Sequence, residues 1–212
     1  MTTQEKIIEL EKIAGEVKDF KGLDIAKNCT RSVPGEGNPD STIMFIGEAP
    51  GFHEDREGRP FVGQAGKLLE KTLGEDLNLD RTRVYITNIV KYRPPDNRDP
   101  FPEEIEACRN WLDRQITVIN PKIICTLGRF SMAKFIPDVT ISRVHGQSRF
   151  VDFNGQRFII FPMYHPAAAL RSTSMLNSFK EDFVKLKNLV VPESATNSIG
   201  DPPASPQTSL FN

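Results

Sequence analysis

The 212-residue chain has little cysteine, almost no net charge and no long apolar run. Its three cysteines, Cys29, Cys108 and Cys125, are widely separated with no CxxC. That excludes a disulfide scaffold and a sequence-local four-cysteine metal site, and it suits a reducing compartment. Lys and Arg total 27 against 28 Asp and Glu, a net charge of -1, so the chain has no basic coat and meets any polyanion through a local patch. No stretch approaches the roughly 18 uncharged apolar residues of a membrane span, and no membrane partner is expected. The opening MTTQEKIIELEKIAGEVKDF has neither an apolar signal core nor the Arg-rich, acid-poor look of a transit peptide. A monomeric, cytoplasmic protein is the expectation.

What is present is enough apolar sequence, 38%, for one substantial core. Residues 4–20 place Ile7, Ile8, Leu10, Ile13, Ala14, Val17 and Phe20 three and four apart, the stripe of an amphipathic helix. Four short, β-branched runs follow, at 42–47, 83–90, 122–128 and 157–163, each bounded by turn residues. Helical patterns lie at 63–76, 102–119 and 129–135, and a last one at 174–189. This alternation predicts an α/β fold, a central parallel sheet with helices on both faces. Asn154-Gly155 between two apolar runs predicts a hairpin and one antiparallel edge strand. The folded domain should span 1–190, and residues 191–212, rich in Pro, Ser and Gly, read as a flexible tail.

Ligands of an open α/β sheet bind beyond the carboxyl ends of its strands, where loops converge on a rigid base. Three such loops carry chemistry here: GEAPGFHEDREGRPFVGQAGKLL after the first run, Asn88 and KYRPPDNRDP after the second, and YHPAAALR after the fourth. Together they supply acids (Glu48, Glu54, Asp55), an amide (Asn88), an aromatic face (Phe61), a histidine (His165) and cations (Lys91, Arg93, Arg171). That set suits a flat polar ring: the amide reads its edge, the aromatic stacks on it, and the histidine donates to an oxygen that gains charge. Plainer readings stand beside these. Phe61 is a core residue, Asn88 a turn or cap, the glycines of 47–66 shape a turn, and His165 before Pro166 opens a helix. His53 and His145 are read as structural.

Taken together, GEAPG (47–51), EDREGRPFVGQAGKLL (54–69), YITNIVKYRPPDNRDP (85–100), EEIEACRNWL (103–112) and YHPAAALR (164–171) resemble the family 4 uracil-DNA glycosylases in order and approximate spacing, over about 35–190. The resemblance implies a three-layer α/β/α sandwich around a four-stranded parallel sheet, and hydrolysis of the N-glycosidic bond of uracil in DNA, leaving an abasic site, with the nucleotide flipped into a pocket. It implies that Phe61 stacks on the uracil and Asn88 bonds its N3 and O4 edge. His165 then donates to O2 as a neutral imidazole. Glu48 and Glu54 match the two acidic positions, Glu54 for the water and Glu48 for support. Gly47, Ala49 and Gly51 leave room for the sugar-phosphate. The loop after His165 probes the minor groove, with Leu170 filling the vacated stack and Arg171 meeting phosphate. Related readings are a covalent or catalytically weak uracil-DNA binder and a glycosylase of broader deaminated-base specificity.

The family typically holds a [4Fe–4S] cluster on four cysteines. The matching positions here are Phe20, Leu23, Tyr92 and Cys108, so only one thiolate remains. No cofactor is expected, and Phe20, Leu23 and Tyr92 read as an apolar plug, the phenol reaching solvent or a backbone partner. The final Gln207-Thr208-Ser209-Leu210-Phe211 resembles the short sliding-clamp-binding pattern QxSLF, with Gln207, Ser209, Leu210 and Phe211 as the matched positions. The expected partners are therefore uracil-containing DNA and a sliding clamp.

Overall fold

The structure is a computed structural model, and it describes residues 1–190. The tail and its clamp motif, Gln207, Ser209, Leu210 and Phe211, lie outside the described residues. A mixed six-stranded sheet runs through the molecule in the order β1-β3-β2-β4-β6-β5. These strands are β1 (Glu36–Gly37), β2 (Ile43–Gly47), β3 (Tyr85–Asn88), β4 (Ile123–Leu127), β5 (Arg149–Phe153) and β6 (Gln156–Met163). The middle four are parallel, as expected. β5 is the antiparallel edge, reached through Asn154 and Gly155, both at positive φ. The other edge, β1, was not foreseen. It pairs antiparallel with β3 over two residues, too few for any period to register.

Alternation along the strands divides the core. Ile43 and Phe45 of β2 enter one apolar cluster, and Met44 and Ile46 the other. The first face is covered by α4 (Gln64–Leu77), α8 (Pro166–Ala169) and α9 (Thr173–Val190). The second is covered chiefly by α1 (Thr3–Asp19), α2 (Asp24–Asn28) and α5 (Pro102–Ile119). α1 begins in a reciprocal cap: Thr2 Oγ1 accepts from Glu5 N and Glu5 Oε2 from Thr2 N, which satisfies two otherwise orphaned amides. α6 (Arg129–Ala133) and α7 (Ile141–Val144) are short connectors between β4 and β5.

The long loop expected after β2 is in part a helix, α3 (Phe52–Glu57), ended by Gly58 in the left-handed region. Adjacent residues on a helix point about 100° apart, which separates Glu54 from Asp55. Among the described residues no helix is long and apolar enough to cross a membrane.

Candidate active site

At the carboxyl ends of the parallel strands lies a cavity of about 590 Å³. Its walls include Glu48, Ala49, Gly51 and Glu54 from the first loop, Phe61, Asn88, and His165 with Arg171 from the last. Gly47 and Asn88 are partners in the β2–β3 register. A Cβ on residue 47 would meet Asn88 Oδ1 at 2.4 Å and the Phe61 ring at 2.5 Å, so glycine alone lets amide and ring approach. Asn88 is 2% exposed, and its Oδ1 has no hydrogen-bond partner.

Phe61 is both cavity wall and core. It is 6% exposed, packs among Phe45, Leu69 and Leu73, and borders the cavity. Its φ of 51° is unusual for a bulky residue. Arg81 holds that backbone, donating from Nη1 to Phe61 O at 2.9 Å and from Nη2 to Pro60 O. Glu36 of β1 in turn accepts from Arg81 Nε at 2.8 Å. Gly66 completes the fit, since a side chain there would collide with the Phe61 carbonyl. Neither Glu36 nor Arg81 carried a local signal, because they act across 45 residues.

His165 is at once the residue that opens α8 and a wall of the cavity. Its Nδ1 accepts from Ala167 N at 3.2 Å, which leaves the neutral ring's proton on Nε2. Burial holds the imidazole pKa down to about 4, with Arg171 adding to the shift and Glu54 opposing it. The ring lies 5.6 Å from that of Phe61.

The acids have separate environments. Glu54 Oε1 accepts from Val62 N at 2.9 Å and Gly63 N at 2.8 Å, at the start of α4. Its Oε2 lies beside Gly51, where a Cβ would approach to 2.8 Å. Burial raises the Glu48 carboxyl above its usual pKa; Asp99 reinforces the shift and Arg129 opposes it.

Three of the charged groups that the sequence offered are not in the cavity. Asp55 points the other way and caps Thr30 N and Arg31 N, because the loop that carries it is helical. Lys91 is fully buried and donates to Thr87 Oγ1, Asn88 O and Gln115 Oε1 at 2.6, 2.8 and 2.7 Å. Arg93 binds Asn97 Oδ1 at 2.8 Å, outside the cavity wall. Leu170 is 51% exposed at the end of α8. His145 has a partner that the sequence did not reveal: its Nδ1 lies 3.0 Å from Asp182 Oδ1, and its ring packs 4.3 Å from that of Tyr164 in the cavity wall.

The model of the uracil DNA glycosylase superfamily matches residues 34–187. The chain belongs to that superfamily. It is 49% identical over 187 residues to the type-4 uracil-DNA glycosylase of Sulfurisphaera tokodaii, covering 86% of this chain and 85% of the relative. The type-4 enzyme of Archaeoglobus fulgidus is 44% identical, with 85% and 92% covered. That of Thermotoga maritima is 41% identical, with 91% and 100% covered. The matched span contains every residue of the cavity wall named above.

The volume at the four cysteine-matching positions is filled. Phe20 stacks on Tyr92 at 6.0 Å and meets Trp111 edge-on at 5.2 Å. Tyr92 Oη donates to Val17 O at 2.6 Å, so of solvent and backbone, the two partners open to the phenol, it takes the backbone. Leu23 packs at the margin of the same cluster, and Cys108 is fully buried in it. One thiol among three side chains without a soft donor does not fit a four-thiolate group.

Proposed function

We propose that this protein releases uracil from DNA by hydrolysing its N-glycosidic bond. The observation that carries the reading is Asn88 Oδ1, a buried acceptor without a partner beside an aromatic face. Such an atom costs about 1–3 kcal/mol until a donor reaches it. Uracil N3–H is that donor, Asn88 Nδ2 donates to O4, and Phe61 stacks on the ring.

The remaining groups then divide the chemistry. As the C1′–N1 bond breaks, negative charge grows on uracil O2, and the Nε2–H of neutral His165 meets it. Glu54, with one oxygen fixed by two amides, presents the other to a water near C1′ and accepts its proton as the new C–O bond forms. Glu48 offsets the positive charge of the sugar. Gly47, Ala49 and Gly51 keep the approach of the sugar-phosphate open, Leu170 fills the gap left in the stack, and Arg171 binds phosphate.

No step in this scheme passes through an iron–sulfur group, and the filled volume around Tyr92 favours an enzyme without one. Iron and sulfide assays with visible absorbance on anaerobically purified protein test this, and stoichiometric iron and sulfide would overturn it. The tail adds a tether: Gln207, Ser209, Leu210 and Phe211 engage a sliding clamp, a means of reaching DNA for a chain of near-zero charge.

The deciding assay incubates the protein with single- and double-stranded oligonucleotides holding uracil, hypoxanthine or a thymine mismatch, followed by alkaline cleavage and a denaturing gel. Scission at uracil is the expected result. A retarded covalent species, scission at hypoxanthine alone, or no scission overturns the reading.

A further inference from the structure

Next in the chain to Gly51 of the cavity wall stands an exposed aromatic that the chemistry above does not use. Phe52, the first residue of α3, is 46% exposed. The guanidinium carbons of Arg93 and Arg56 lie 5.1 and 5.6 Å from its ring centroid. Phe52 and Arg56 share a face of α3 by their spacing of four, while Glu54 of the same helix lines the cavity. Arg93 arrives from the other side, from the turn after β3. It is fixed through Asn97, and both Asn97 and the adjacent Pro94 line the cavity.

Charge separates this place from other arginine–aromatic pairs at the mouth. Arg98 stacks over Phe101 and Arg129 over Phe130, but Glu104 neutralises the first and Asp99 the second. Among the described residues neither Arg56 nor Arg93 forms a salt bridge to a carboxylate. A half-exposed ring with two unneutralised guanidinium groups over it matches a nucleotide, whose base takes the exposed part of the ring while its phosphate draws the guanidinium groups.

We propose that Phe52 is a stacking platform for the nucleotide next to the flipped one on the uracil-bearing strand, with Arg56 and Arg93 on its phosphate. This rests on the reading of the cavity as the seat of the flipped base. In a duplex that neighbour is already paired and stacked, so leaving the helix for Phe52 offsets much of the gain. In a single strand it is free. The platform therefore favours single-stranded substrate.

Fluorescence anisotropy with uracil-free oligonucleotides of one length, single-stranded and duplex, measures the platform without any turnover. Phe52→Ala should weaken single-strand binding by about 5- to 100-fold, the cost of one lost base stack, and duplex binding far less. Phe52→Trp should restore the affinity, since it keeps a stacking face. Arg56→Gln and Arg93→Gln should each lower the slope of log affinity against log salt by about 0.7 on single strands. Equal losses on both substrates, failure of Trp to restore binding, or an unchanged salt slope overturns the proposal. A protein that shows the Phe52 effect but releases no uracil overturns the reading of the cavity alone. One that releases uracil but is indifferent at Phe52 overturns the platform alone.

Discussion

Gly47 and Asn88 face each other at the carboxyl ends of β2 and β3, and the missing side chain of one is the space taken by the amide of the other. Gly47→Ala puts a methyl group 2.4 Å from Asn88 Oδ1 and 2.5 Å from the Phe61 ring. Both flank the seat proposed for the base, so either must move. We expect a loss of uracil release of at least about 100-fold in single-turnover assays, since small displacements of a positioned group carry such penalties. Overpacking should cost about 1–3 kcal/mol in a urea melt. Release at the wild-type rate would show that the amide and ring do not need this approach.

His165 gives a pH signature. Its folded pKa of about 4 lies below the ordinary 6.5, so the fold disfavours the charged ring. The unfolded chain binds the proton first as pH falls. Stability from this residue is therefore complete above about 6.5 and is lost between there and about 4, on the order of 3 kcal/mol. The difference in urea stability between wild type and His165→Asn should shrink over that window. Nitrogen NMR should show the Nε2–H tautomer at neutral pH and titration near 4, because Nδ1 is engaged by Ala167 N. An imidazole still protonated at neutral pH, or one with its proton on Nδ1, would remove the neutral Nε2 donor from the mechanism.

Lys91 sits beneath the site with three neutral acceptors and no carboxylate. Burial pushes its pKa down to about 7. The unfolded lysine stays protonated to about 10.4, so the fold gains stability as pH climbs from about 7 toward 10. Lys91→Met removes that dependence and leaves Thr87 Oγ1, Asn88 O and Gln115 Oε1 short of a donor, at a cost of about 2–4 kcal/mol at neutral pH. Because Asn88 O is one of the three, uracil release should fall with it. Parallel pH–stability curves for wild type and Lys91→Met would contradict the buried, depressed amine.

Much of this arrangement can be read from the sequence where the signal is local. The four parallel strands follow from short β-branched runs, the β5–β6 hairpin from Asn154-Gly155, and the cavity from loops that follow strands. The misreadings share a cause: they depend on partners far along the chain or on elements too short to show a period. α3 has six residues, too few to show a period, so local spacing alone does not tell Glu54 from Asp55, which the helix turns apart. Lys91 looked like a loop cation, and only Gln115, 24 residues later, reveals its burial. The support of Phe61 by Arg81 and Glu36, and the pairing of His145 with Asp182, are likewise invisible to spacing.

The aromatic packing at the cysteine-matching positions makes its own prediction. Tyr92→Phe keeps the stack on Phe20 but drops the bond to Val17 O, leaving that carbonyl unpaired in the core. A loss of about 1–2 kcal/mol in urea stability is expected, with the rate of uracil release unchanged. A rate that falls in step with stability would tie the Tyr92 region to the cavity.

The terminal motif is tested by deleting residues 207–211. A weak clamp contact of the kind proposed would suffice to hold the enzyme near DNA, because tethering converts the second encounter into an intramolecular one at an effective concentration reaching the millimolar range. The stretch from Pro192 to Pro206, rich in proline and polar residues, joins the motif to the domain in sequence. Uracil release from short oligonucleotides without a clamp should be the same for the full chain and the deletion. On primed circular DNA carrying a loaded clamp, the full chain should act about 10- to 100-fold faster at limiting enzyme, and the deletion should lose that advantage. Leu210→Ala with Phe211→Ala should behave as the deletion does, since those two side chains are the apolar anchor of the proposed contact. Equal acceleration of full chain and deletion by the clamp would place the contact elsewhere and leave the tail without this role.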